Sequence, residues 1–168
     1  MFYAGLLILT ISSCNSLHAA TQSPQVLLGD HQPVTILNEL LILKDTNKQL
    51  GITEITSKDY THKFQKNVHG ANSFGYGDAS WWFRFDLKVQ SDEIWFLLID
   101  QTVNATELFI EPKTSATKID LKPRYTFLDT HRTPAWQLNL TRQQSYTVYL
   151  KVNNGHAILR LPLSLMTS

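Results

Sequence analysis

Alternation of apolar and polar residues with a period of two is the feature that most restricts how this chain can fold. In 81–89 the odd positions from Trp81 onward are apolar, whereas Arg84, Asp86 and Lys88 lie between them. Such alternation predicts a strand with one face in a core and the other facing away from it. The other segments with strand character are 34–43, 50–56, 94–100, 135–140, 145–152 and 156–165.

Turn signals lie between these segments. Asn153-Asn154-Gly155 has the Asn-Gly chemistry of a tight turn and predicts a hairpin that joins 145–152 to 156–165. We expect a loop over 72–78 and a short helix within 57–66. Eight to ten strands with almost no helix predict an all-β protein, an antiparallel β-sandwich of the jelly-roll kind.

Composition limits the functional class. The 168 residues suit one domain, or a domain plus a targeting segment, and the net charge of +1 gives no electrostatic footprint for a nucleic-acid partner. No run of about 20 apolar residues is present, so a conventional membrane span is not expected. Because Cys14 is the single cysteine, no disulfide can form within the chain.

The N-terminal segment reads as a targeting sequence. Residues 1–20 contain no charged side chain, and the apolar run Ala4 to Ile11 is followed by small and polar residues up to Ala20. This order predicts a signal peptide and export to the periplasm, although the basic start is absent. The alternative is a buried N-terminal strand. We therefore divide the chain into a signal peptide (1–20), an N-terminal lead-in (21–34) and a jelly-roll domain (35–168).

Cys14 leaves a second route of processing open. Ile11-Ser12-Ser13-Cys14 is similar to a bacterial lipobox, in which an aliphatic and two small residues precede a cysteine that receives lipid. Lipidation at Cys14 would anchor the domain to the membrane, facing the periplasm. In the other alternative Cys14 is discarded with the signal peptide.

No catalytic or metal-binding motif emerges from the sequence. It has no glycine-rich phosphate loop, no nucleophile elbow and no zinc-protease motif, and its six histidines lack metal-ligand spacing. The sequence therefore predicts a protein that is not an enzyme and needs no cofactor or metal.

Aromatic and basic residues on polar faces are the candidate ligand-binding residues. Trp82 lies on the same strand face as Arg84, so the ring can stack on a sugar while the guanidinium holds a carboxylate or hydroxyl. Tyr76 precedes this strand, and Arg132 lies in a loop that can face it. The alternative interpretation places Trp82 in a core and Arg84 in a structural ion pair.

The stretch 74–85 resembles the signature of a known family, the extracellular type 2 domain of the 7TMR-DISM bacterial receptors. In that family a G-Y-x-x-x-x-x-W-x-R pattern opens a long central strand, and Gly75, Tyr76, Trp82 and Arg84 match it. Further segments on both sides of this stretch resemble the family in the same order along the chain: 41–45, 50–53, 95–100, 107–110, 131–136, 149–152 and 161–163.

The resemblance implies a fold and a role. It implies a jelly roll similar to carbohydrate-binding modules, outside the cytoplasmic membrane, that senses a small ligand such as a carbohydrate and performs no catalysis. In the family, seven transmembrane helices and a signalling module follow, whereas this sequence ends at Ser168. The alternative function is a free-standing periplasmic or lipid-anchored interaction module that docks on a membrane receptor or signalling protein.

Overall fold

The structure is a computed structural model that describes residues 25–29, 33–99, 105–114, 125–127, 134–153 and 155–168. Strands account for most of the regular structure in this part of the chain. They are β1 (Gln25–Leu28), β2 (Val34–Thr35), β3 (Leu41–Asp45), β4 (Gln65–Lys66), β5 (Ser73–Gly77), β6 (Ser80–Val89), β7 (Trp95–Ile99), β8 (Ala105–Pro112), β9 (Tyr125–Phe127), β10 (Ala135–Leu138), β11 (Ser145–Asn153), β12 (Ala157–Arg160) and β13 (Leu163–Thr167). The helices are α1 (Ile52–Ile55) and α2 (Lys58–Thr61), with 3-10 turns at Leu37–Glu39 and Val68–Gly70.

The larger sheet, sheet one, is organised around β6. Its order is β4-β3-β6-β11-β8, and all these neighbours are antiparallel. β1 lies parallel to the second half of β6, with Gln25 opposite Asp86, so part of the predicted lead-in is a strand of the sheet. The pairing of β6 with β11 extends from Ser80 opposite Asn153 to Lys88 opposite Ser145. This register places the even positions of β6 on the same face as the odd positions of β11.

Sheet two packs on sheet one and closes the core. Its order is β2-β13-β7-β10-β9, again antiparallel. Phe83, Phe85 and Leu87 of β6 are fully buried in one apolar cluster with Trp95 and Leu97 of β7. Burial of each such side chain contributes about 1.5–3 kcal/mol to folding. The prediction of an all-β antiparallel sandwich, with the odd positions of β6 inside, is confirmed; its jelly-roll connectivity stays a prediction.

The predicted strand over 50–56 is wrong, because this segment contains α1. The Glu54 side chain accepts a hydrogen bond from the backbone N–H of Gly51 at 2.9 Å and so stabilises the first turn. Ile55 is buried, and Leu50 and Ile52 pack in the same cluster on the outer face of sheet one. Burial of this apolar side on the sheet outweighs the strand preference of the sequence. The predicted short helix within 57–66 is confirmed as α2.

The predicted hairpin at residues 153–155 is also wrong. Gly155 has a positive φ of 59°, and its N–H donates to the side chain of Asn153 at 2.8 Å, as expected of a turn. However, β11 pairs with β6 and β8, whereas β12 pairs with β5 in a separate two-stranded ribbon. Because β6 and β8 already pair with the two edges of β11, β12 cannot pair with it. The predicted loop over 72–78 therefore contains strand β5.

The final predicted strand, 156–165, is interrupted. The backbone N–H of Leu161 donates to the carbonyl of Asn72 at 2.7 Å, and Pro162 has no N–H to continue a ladder. The chain therefore leaves the ribbon after β12 and enters sheet two as β13.

The targeting predictions concern residues that the structure does not describe. Residues 1–20 and Cys14 lie outside the described ranges, so the signal peptide, the lipidation site and their alternatives stay predictions. Among the described residues no helix has the length and apolar character needed to cross a membrane.

Candidate ligand-binding site

The outer face of sheet one brings the candidate residues of β6 together with side chains of β11 and β8. This is the face opposite the main core, and α1 covers one end of it. Three successive rows cross the strands: Trp82, Lys151 and Glu107; Arg84, Tyr149 and Phe109; Asp86, Thr147 and Glu111. An aromatic centre is thus flanked by charged groups of both signs.

Trp82 lies beneath the other side chains of this face. Its side chain is fully buried in a second apolar cluster with Leu43 and Ile55. The ring lies 6.1 Å from the ring of Phe109 with an interplanar angle of 27°, and the ammonium of Lys151 is 5.3 Å from the Trp82 ring centroid. A ligand therefore reaches the Trp82 ring only when a covering side chain moves.

Lys151 lies over the Trp82 ring and forms an ion pair with an exposed carboxylate, that of Glu107. Its ammonium lies 3.5 Å from a carboxylate oxygen of Glu107, which is 56% exposed. Ion pairs with so much solvent access contribute at most about 1 kcal/mol. Loss of the ion pair with Glu107 therefore carries a small energetic cost.

Arg84 lies beside Trp82 on the same face and is half-buried. Its guanidinium carbon is 5.9 Å from the ring centroid of Tyr149, within the range of a cation–π contact. None of the ion pairs within the described residues involves Arg84. The structural ion pair considered from the sequence is therefore not seen in this part of the chain.

Two buried donors on this face have no acceptor among the residues that the structure describes. The Nε1–H of Trp82 and the Nε–H of Arg84 are the buried side-chain polar groups without a hydrogen-bond partner in the described part of the chain. An unsatisfied buried donor costs about 1–3 kcal/mol, and buried polar groups are otherwise nearly always paired. Both donors are two residues apart on one strand, and an incoming oxygen acceptor would relieve that cost.

The acidic side chains nearby have different environments. Asp86 is almost fully buried and accepts hydrogen bonds from the ammonium of Lys113 at 2.6 Å and from the hydroxyl of Thr147 at 2.9 Å. Burial raises the pKa of Glu111, and the positive charge of Arg84 partly opposes that rise. Burial likewise raises the pKa of the Tyr149 hydroxyl.

Tyr76 is not part of the face just described. Tyr76 lies in β5, opposite Ile158 in the two-stranded ribbon, and is 70% exposed. Gly75, with a φ of 86°, reverses the local alternation, so Tyr76 faces solvent while Phe74 packs on the core. Arg132 lies outside the described residues. The structure thus brings together Trp82 and Arg84 of the four candidates.

Several residues of the face were absent from the sequence-based site. Tyr149 and Lys151 occupy the polar positions of the 145–152 alternation, so their exposure to this face was readable from the pattern. Glu111 and Lys113 reach it only because β8 pairs with β11. Sequence alternation does not specify which strands become neighbours.

Metal binding has no structural support in the described ranges. No group of three or more His, Cys, Asp or Glu side chains there is arranged so that it could hold a metal ion.

A model of a known family matches most of the chain. A family model described as 7TMR-DISM extracellular 2 matches residues 38–167, from the 3-10 turn before β3 to the end of β13. No curated protein sequence matches the chain. The matched range contains the whole outer face described above, including both unsatisfied donors.

Proposed function

Because the chain belongs to the 7TMR-DISM extracellular 2 family, a family of receptor extracellular sensory domains, we propose that it senses a small ligand outside the cytoplasmic membrane without catalysis. The ligand binds on the outer face of sheet one, at Arg84 and Trp82. A carbohydrate is the proposed class, since its hydroxyl and carboxylate oxygens are acceptors for the two N–H groups.

The observation that carries this proposal is the pair of buried donors without acceptors. A fold that leaves Trp82 Nε1 and Arg84 Nε unsatisfied is less stable than one that pairs them, by about 1–3 kcal/mol for each donor. A ligand oxygen within hydrogen-bond distance recovers part of that free energy on binding. Phe109 and Tyr149, in the adjacent strands, supply aromatic surface beside the same point.

Export is part of the proposal. The family is extracellular, and the signal peptide proposed at 1–20, with Cys14 as the alternative lipidation site, would deliver the domain to the periplasm. There it would be free or membrane-anchored.

A thermal-shift screen of the full chain tests the proposal. The panel contains neutral sugars, uronic acids, amino acids and cell-wall fragments. A ligand at 100 times its dissociation constant should stabilise the fold by about 2.7 kcal/mol. We expect a hit with Arg84 present and none with Arg84→Met, while Arg160→Met, at an exposed position of β12, keeps the shift. A hit that survives Arg84→Met would place the ligand elsewhere.

The alternative function, docking on a membrane receptor, has one observation in its favour. Tyr76 and Ile158 are directly opposite in the ribbon and both are exposed, which is the kind of apolar pair that protein interfaces use. Tyr76→Ser separates the two functions. If Tyr76 belongs to the ligand site the thermal shift is lost, whereas a docking role leaves the shift intact and weakens copurification with membrane proteins.

A further inference from the structure

An open groove runs along the edge of sheet one formed by β3 and β4, and it shares Leu43, Leu50 and Tyr60 with the apolar cluster around Trp82. Its volume is about 580 Å³, within the range of about 300–1,000 Å³ that is usual for small-molecule sites. It lies beside β3, where β4 pairs only with Leu41 and Ile42 and leaves the rest of that edge open. Part of its wall comes from Tyr60 and Lys63, in and just after α2.

Of the residues that the structure describes, three lysines line this groove and no Asp or Glu does. They are Lys44 of β3, Lys66 of β4 and Lys63. None of the three has a carboxylate within 4.0 Å among the described residues, in contrast to Lys48, Lys113 and Lys151. A concave site with three unpaired positive charges concentrates anions.

Aromatic rings hold two of these charges in place. The ammonium of Lys63 is 3.9 Å from the ring centroid of Tyr60, and that of Lys44 is 5.3 Å from the ring centroid of Trp81. Trp81 is itself fixed against Phe74, with the two ring centroids 5.6 Å apart. The cations are therefore directed by ring faces, and their N–H donors stay available to a ligand.

The groove adjoins a second hollow of about 260 Å³. The two share Lys44, Leu50 and Tyr60, and the second adds Asp45 and the polar side chains of Thr46, Asn47 and Gln49. Asp45 is buried, and its carboxylate accepts a hydrogen bond from the backbone N–H of Leu50 at 2.9 Å. An extended site with aromatic and apolar walls, amide and hydroxyl groups and three lysine side chains fits a chain of several units. Each unit should carry both a ring and a carboxylate.

We propose that this groove binds an acidic oligosaccharide of the uronic-acid type, with Lys44, Lys63 and Lys66 as partners of successive carboxylates. Apolar sugar faces pack on the walls, and the hydroxyls reach the amides of the second hollow. The lining of this groove contains neither Arg84 nor Trp82, although both sites adjoin the apolar cluster of Trp82, and the proposal does not depend on binding at Arg84.

Calorimetric titration of the full chain with tetragalacturonate tests the proposal, with maltotetraose as the neutral probe of equal length. We expect binding of the acidic probe alone, weakened by added salt. Lys44→Gln, Lys63→Gln and Lys66→Gln combined should weaken it on the order of tenfold or more. The matched control combines Lys58→Gln, Lys88→Gln and Arg160→Gln, which removes three positive charges from exposed positions outside the groove.

Four outcomes would overturn the proposal. The first two are no binding of tetragalacturonate and equal binding of maltotetraose. The other two are an equal loss of affinity in both triple variants, and a loss of affinity in Arg84→Met with none in the variant that lacks Lys44, Lys63 and Lys66. The last outcome would assign the acidic sugar to the outer face of sheet one, at Arg84. Tryptophan fluorescence gives an independent readout, since Trp81 lies in the groove wall. A ligand-induced change that disappears in Trp81→Phe supports the groove, and one that persists unchanged when Lys44, Lys63 and Lys66 are all replaced by glutamine contradicts it.

Discussion

Trp82 and Arg84 lie two residues apart on the outer face of β6, and each has a buried N–H with no acceptor in the described part of the chain. Between them in sequence, Phe83 points into the main core and is fully buried. One strand therefore supplies a buried apolar face and, on its reverse, two donors that lower the stability of the free protein. Unsatisfied groups of this kind are commonly retained where a ligand uses them.

Arg84→Met should separate stability from binding. Methionine keeps an unbranched apolar stem beside Tyr149 but removes the unsatisfied Nε–H. We expect the free energy of unfolding, measured by urea denaturation, to rise or to change by less than about 1 kcal/mol. A loss of more than 2 kcal/mol would mean that the guanidinium has a structural partner, and the ligand assignment of Arg84 would then fail.

Trp82→Ala should destabilise the fold strongly, because the side chain has no exposed surface. Large-to-small changes at buried aromatic positions cost about 3–5 kcal/mol, part of it from the cavity that remains. Tyr76→Ala is the control, since Tyr76 is 70% exposed and its replacement should change stability by about 0.5 kcal/mol or less. Chemical denaturation of the two variants measures both values. Equal, small effects would show that Trp82 is not packed as described.

The sandwich could be predicted from sequence because alternation reports directly on burial. Positions 83, 85 and 87 are apolar, and their side chains are fully buried in the core. The family was likewise readable, since Gly75, Tyr76, Trp82 and Arg84 form a local pattern that needs no knowledge of the fold. Both conclusions depend on residues close together in the chain.

The site could be predicted only in part, because it depends on which strands become neighbours. Arg84 meets Tyr149 and Glu111 across 65 and 27 residues of sequence, through pairings that alternation does not encode. The same limit explains the wrong hairpin at 153–155, where correct turn chemistry was assigned to the wrong partner. The helix at Ile52–Ile55 was missed because its apolar residues fit either period in so short a segment.

Thr147→Val tests how much the hydrogen bond from Thr147 to Asp86 contributes to the stability of the fold. The Thr147 hydroxyl donates to the buried Asp86 carboxylate at 2.9 Å, and valine keeps the shape but removes the donor. A hydrogen bond to a charged group contributes about 1.5–3 kcal/mol, so we expect a loss of that size in thermal or urea unfolding. Thr167→Val, in β13, is the control and should cost much less. Equal losses would indicate a general effect of valine at strand positions.

Glu111→Gln should change the pH dependence of stability. Burial raises the pKa of Glu111 in the folded protein above the ordinary value of 4.5, so the folded state holds this proton more tightly than the unfolded state does. Wild-type stability therefore falls as the pH rises from about 4.5 through the folded pKa, and glutamine removes this loss. The unfolding free energy of the variant relative to wild type should thus be more favourable at pH 7 than at pH 4. Because the charge of Arg84 lowers the Glu111 pKa, the same comparison made in an Arg84→Met background should give a larger difference. A difference that is flat or reversed between pH 4 and pH 7 would show that Glu111 is solvated.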